Sequence, residues 1–121
     1  MKIILPFPVS LNAAYVNVPR VGRVKSKRYK AWLASCPLLE EKFEGKCTIS
    51  YEIYQPNHLE RDGNNFLKVV LDYLVSQGVL EDDNMNIVKG EQWIDGGIDK
   101  KNPRIEITIR GFTNEIQSQT A

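Results

Sequence analysis

The chain has 121 residues, of which 42% are apolar and 26% charged, with 16 Lys and Arg against 15 Asp and Glu for a net charge of +1. That length fits one domain with a modest core, and the composition is that of a globular protein. No window is long and apolar enough to span a membrane, and the start "MKIILPFPVS" lacks the pattern of a signal peptide.

In chain order, "KIIL" at 2–5 predicts a first strand, ended by "PFP". The stretch "SLNAAYVNVPRVGRVKS" reads as a long basic loop broken by Pro19 and Gly22; such loops are uncommon in small domains and often functional. Ser26 is placed to cap a helix over 27–35. Cys36 and Cys47 have no metal-ligand spacing and read as two small free thiols. Residues 46–54 alternate, with Cys47, Ile49, Tyr51 and Ile53 on one face, which predicts a strand. "QPNHLERDGNN" is a turn-rich connection that carries the only histidine, His58. A helix follows over about 64–77, stopped at Gly78. "VLEDDN" is an acidic link. Two more strands are predicted at 86–94 and 103–110, joined by "DGGIDKKN", which carries hairpin chemistry. The result is a two-layer α/β domain over residues 1–112. It has a four-stranded mixed sheet with two helices on one face, in the order β-α-β-α-β-β. A polar tail covers 113–121.

The helix at 64–77 is apolar over most of its circumference. Asn64, Lys68 and Asp72 nevertheless share one ridge at i, i+4 and i+8, with Asp62 just ahead of them. An apolar wrap that wide predicts cover on two sides, by the sheet and by a second subunit. Two readings of the ridge stay open: a capped helix with an exposed Lys68–Asp72 pair, or the mouth of a catalytic site. Charge placement bears on the choice. Residues 1–39 hold no Asp or Glu but seven basic residues (Lys2, Arg20, Arg23, Lys25, Lys27, Arg28 and Lys30), while the rest of the chain sums to −6. A basic segment beside an acidic body suggests a polyanionic partner. Hard cations such as Mg²⁺ take a few carboxylates plus water and phosphate oxygens, and a lysine can stabilise charge at a phosphate. Asp62, Lys68 and Asp82 or Asp83 would supply those parts.

These residues resemble the RusA family of Holliday junction resolvases, small endonucleases of bacteria and their prophages. "LPFPVSLNAAY" looks like the family's strand, proline turn and Asn, here Asn12. "RDGNNFLKVVLDYLVSQGVLEDDNMNIV" looks like its Asp-x-Asp-Asn-x-x-Lys signature, helix and following Asp-Asp. The resemblance implies metal binding by Asp62, Asn64, Asp83 and Asp82, and a role in cleavage for Lys68. It places DNA contacts at Asn12, Arg20, Arg23, Lys25, Lys27, Arg28, Lys30 and Asn65. It implies Mg²⁺ and no small-molecule cofactor, an intertwined homodimer on four-way DNA junctions, paired symmetric nicks, and a cytoplasmic, nucleoid-associated, membrane-free setting.

One position departs from the pattern. Asn64 stands where the family has its second signature Asp, and an amide offers a carbonyl oxygen but neither charge nor a base. Three readings stay open: a tolerated amide, partial compensation by Asp72, or a catalytically impaired chain that still binds junctions.

Overall fold

The computed structural model describes residues 1–112; the tail expected from Thr113 lies outside the described residues. The elements are β1 (Lys2–Pro6), α1 (Leu11–Ala14), β2 (Tyr15–Val18), β3 (Gly22–Lys25), α2 (Lys27–Ser35), β4 (Cys47–Gln55), α3 (Asn64–Ser76), β5 (Val88–Ile98) and β6 (Arg104–Gly111). The main sheet runs β1-β6-β4-β5, with β4 and β5 parallel and the other pairs antiparallel, so the fold is α/β with the expected four-stranded mixed sheet.

The alternation read at 46–54 becomes the core. Cys47, Ile49, Tyr51 and Ile53 of β4 are buried, as are Ile105, Ile107 and Ile109 of β6 and Ile3 and Leu5 of β1. Against them α3 buries Phe66, Val69, Val70, Leu71, Tyr73 and Leu74. Each such side chain contributes roughly 1.5–3 kcal/mol on burial, so this face dominates the stability of the domain. Ser26 caps α2 by accepting a bond from the Tyr29 N–H at 3.1 Å. Gly78, at φ +76°, ends α3 in the left-handed conformation that favours glycine, and the Val79 N–H donates back to the Leu74 carbonyl at 2.9 Å.

Two sequence expectations are corrected. The stretch 10–26 is not one loop: it folds into the short helix α1 and the antiparallel hairpin β2–β3, giving three helices rather than two. The strand at 86–94 runs instead from Val88 to Ile98 and absorbs "DGGI", so β5 and β6 form no hairpin; β4 lies between them. The wide apolar wrap of α3 is largely covered by its own chain. Trp32 of α2 meets Tyr73 edge-on at 5.7 Å between ring centroids, Phe7 meets Phe66 at 5.2 Å, and the Tyr73 hydroxyl donates to the Pro37 carbonyl at 2.5 Å.

Candidate functional site

The unit β4–α3–β5 is a parallel crossover, and its β4–α3 turn carries Asp62 outside the carboxyl end of β4, a common position for ligand sites in parallel α/β units. Gly63 holds the N-cap position of α3 and has no side chain to cap with. Asp62 does that work from one residue earlier: its Oδ1 accepts the Asn64 N–H at 3.0 Å.

Further along the ridge, the acidic link returns to the helix. Lys68 Nζ donates to Asp83 Oδ2 at 2.6 Å and to Asp72 Oδ1 at 2.9 Å. The bond donated to Asp83, reinforced by the one to Asp72, holds the Lys68 ammonium above its usual range, and the same bond holds the Asp83 carboxyl below its own. Asp82 turns the link: its Oδ1 accepts the Asp83 N–H at 2.7 Å and its Oδ2 accepts from Asn84 Nδ2 at 3.0 Å. Among the described residues no three His, Cys, Asp or Glu side chains converge into a ready metal cage.

Asn64 has a partner that local sequence does not reveal. Trp93, on the helix side of edge strand β5 opposite Tyr51, donates its indole N–H to Asn64 Oδ1 at 3.0 Å. Its ring lies against the Gly63 backbone, where a Cβ would fall 2.5 Å from ring atom Cε2. Only glycine fits beneath the indole.

The basic residues form an arm beside this ridge. In the β2–β3 turn the Val21 N–H donates to the Val18 carbonyl at 3.1 Å, with Pro19 and Arg20 as the central residues. Arg20 takes φ +67°, which a type II turn requires at that position. Arg23 stacks over Tyr15 at 4.3 Å and Lys25 over Tyr29 at 5.7 Å. Asn12 shares a groove of about 360 Å³ with Tyr15, Asn17 and Arg23. Lys27, Arg28 and Lys30 are exposed on the first turn of α2. Arg28 reaches a second groove of about 400 Å³ that also takes in Asp62 and Asn65. Arg61 lines the same groove, and its Nη1 donates to Gln55 Oε1 at 3.2 Å. His58 is exposed in the loop before it.

The structure thus joins Asp62, Asn65 and Arg28 at one groove, and Asp72 and Asp83 at Lys68. Asn12, Arg20, Arg23 and Lys25 lie on α1 and the hairpin. Sequence reasoning missed Arg61 and Trp93. Arg61 could have been found as the cation next to Asp62, whereas Trp93 carries no local signal.

A cationic arm set beside a lysine–carboxylate ridge on an α/β crossover is the equipment of a nuclease, which must hold a polyanion and stabilise charge at one phosphate. The chain matches the Endodeoxyribonuclease RusA family over residues 6–110 and belongs to that family. Membership implies a Holliday junction resolvase that binds branched DNA, and nucleases of this family are generally dependent on a divalent metal. None of the curated proteins matches the chain. No helix among the described residues is long and apolar enough to cross a membrane.

Proposed function

We propose that the chain is a Mg²⁺-dependent endonuclease that resolves four-way junctions by paired symmetric nicks, acting as a homodimer through one domain over residues 1–112. The observation that carries this reading is the Lys68 ammonium held between Asp83 and Asp72 on the ridge that begins at Asp62. One chain offers one such ridge, and resolution cuts two opposed strands, so two chains are required.

The donor chemistry suits Mg²⁺, which takes one or two carboxylates and keeps waters and substrate phosphate oxygens for its other positions. Asp62 and Asp83 would hold it, with Asp82 alongside. When bound, the ion supplies Lewis acidity and a water acidic enough to attack phosphorus. Lys68 donates to the phosphate and offsets the negative charge that builds on it. Because Lys68 has two carboxylate partners, Asp72 would still hold the ammonium if Asp83 served a cation. Asn12, Asn65 and the basic residues of the arm contact the phosphates of the junction arms, which gives affinity without sequence preference.

Titration with labelled four-way and linear DNA, followed by addition of Mg²⁺, tests the reading. Tighter binding of the branched form and symmetric nicks upon Mg²⁺ addition are expected. Equal binding of both forms, with no cutting, would mark a small regulator with incidental acidic loops.

A further inference from the structure

We propose that Trp93 fixes Asn64 as a hydrogen-bond donor to a DNA phosphate, so that in this chain position 64 is a phosphate contact and not a metal ligand. The proposal rests on the nuclease reading above and assigns one residue within that site.

The indole N–H can only donate, so the atom of Asn64 that faces it is the carbonyl oxygen. That oxygen is the one atom through which an amide joins a cation's shell, and the indole takes one of its two lone pairs and turns it toward β5. Its Nδ2 group is left pointing elsewhere, and among the described residues no acceptor meets it. Nδ2 carries two N–H donors and no lone pair for a cation. Asn64 and Lys68 lie one turn apart on the same exposed ridge, so both donors belong to one face of α3.

Three residues make this arrangement together. Gly63 has no Cβ, and a Cβ there would stand 2.5 Å from the indole ring, so the ring can settle over the start of α3. The register of β5, with Trp93 opposite Tyr51, brings the indole to that point. Asn64 then supplies the acceptor the indole requires. An Asp at 64 would accept the same bond but would turn a second negative oxygen toward the phosphate, where Asn64 turns a donor.

The test is junction binding in EDTA, where no metal contributes, by the wild type and the variants Asn64→Ala, Asn64→Asp, Trp93→Phe and Trp93→Phe/Asn64→Ala. Loss of one bond to a charged oxygen is expected to weaken binding about tenfold in Asn64→Ala. Asn64→Asp should bind more weakly still. Trp93→Phe keeps the ring over Gly63 but frees the amide, so it should weaken binding in the same direction, and the double variant should bind no worse than Asn64→Ala. Unchanged binding by Asn64→Ala, or additive losses in the double variant, would overturn the proposal. So would a rise in the half-saturating Mg²⁺ concentration for cleavage by Asn64→Ala.

A readout free of DNA checks the positioning itself. In ¹H–¹⁵N spectra the Trp93 indole resonance should shift in Asn64→Ala while that of Trp32 stays fixed; an unmoved Trp93 resonance would also overturn the proposal. Running the binding series on linear DNA separates the two levels of the argument. Lack of preference for the junction would remove the resolvase reading, yet the Asn64 series would still decide whether the amide contacts a phosphate.

Discussion

Replacing Lys68 with Met separates what the residue does for the fold from what it does for the reaction. Its ammonium meets Asp83 at 2.6 Å and Asp72 at 2.9 Å, but the side chain is 53% exposed and both pairs lie at the surface. Exposed pairs of this kind contribute roughly 0.2–1 kcal/mol each. Met keeps the apolar stem that Lys lays along the helix, so with two such pairs removed the expected loss of stability is about 2 kcal/mol or less. The chemical cost is of another order. Deleting one donor aimed at charge that develops in the transition state lowers rates about 10²–10³-fold, or roughly 2.7–4 kcal/mol. Single-turnover cleavage of an end-labelled four-way junction at saturating protein, beside a urea melt, measures both quantities. Lys68→Met is expected to melt near the wild type and to cut at least about 100-fold more slowly. Cutting within about threefold of wild type, or a stability loss above about 3 kcal/mol, would refute the reasoning and make Lys68 a structural strut.

The remaining predictions concern the arm and the core. The Ser26 hydroxyl donates to the Ala13 carbonyl at 2.6 Å and accepts from the Tyr29 N–H at 3.1 Å, so it ties α1 to the start of α2. Ser26→Ala should cost about 1–2 kcal/mol in urea unfolding, and a cost under about 0.5 kcal/mol would show that the tie is idle. Neutralising Lys25 and Lys27 should weaken linear and branched DNA alike and reduce the slope of log K against log salt by up to about 1.8, because each lost phosphate contact removes about 0.9; an unchanged slope would take the arm off the DNA. Burial pushes the Cys36 thiol up to about 12, so at pH 8 almost no thiolate exists there, and it raises Cys47 as well. Iodoacetamide followed by mass spectrometry should label neither residue until the chain unfolds, and rapid labelling in the folded protein would contradict their burial.

Where local chemistry decided the structure, it could be read directly. The period-two pattern of 47–53 became β4, Ser26 capped α2, and Gly78 ended α3. The arm was harder because its turn puts Arg20 at a positive φ where glycine or asparagine is the usual signal, so the hairpin was hidden inside a basic loop. Strand β5 was read too short because it is an edge strand with an exposed face and little apolar alternation. The glycines of "DGGI" suggested a turn, but turn chemistry does not tell which slot in a sheet the next strand will take. Here β6 enters between β1 and β4. The candidate site was legible as residue types around Asp62, Lys68 and Asp83. The Lys68–Asp83 bond and the Trp93–Asn64 bond join residues far apart in sequence, and only the crossover from α3 to β5 brings them together.

The central claim is that this chain cuts branched DNA with the help of Mg²⁺. It is tested most directly by incubating the wild type with a labelled four-way junction and with the matching linear duplex, in Mg²⁺ and in EDTA, and mapping the nicks at nucleotide resolution. The account predicts paired nicks at symmetric positions on opposed strands, in Mg²⁺ only and on the junction only. Binding without any Mg²⁺-dependent cutting, or equal cutting of the linear duplex, would contradict it.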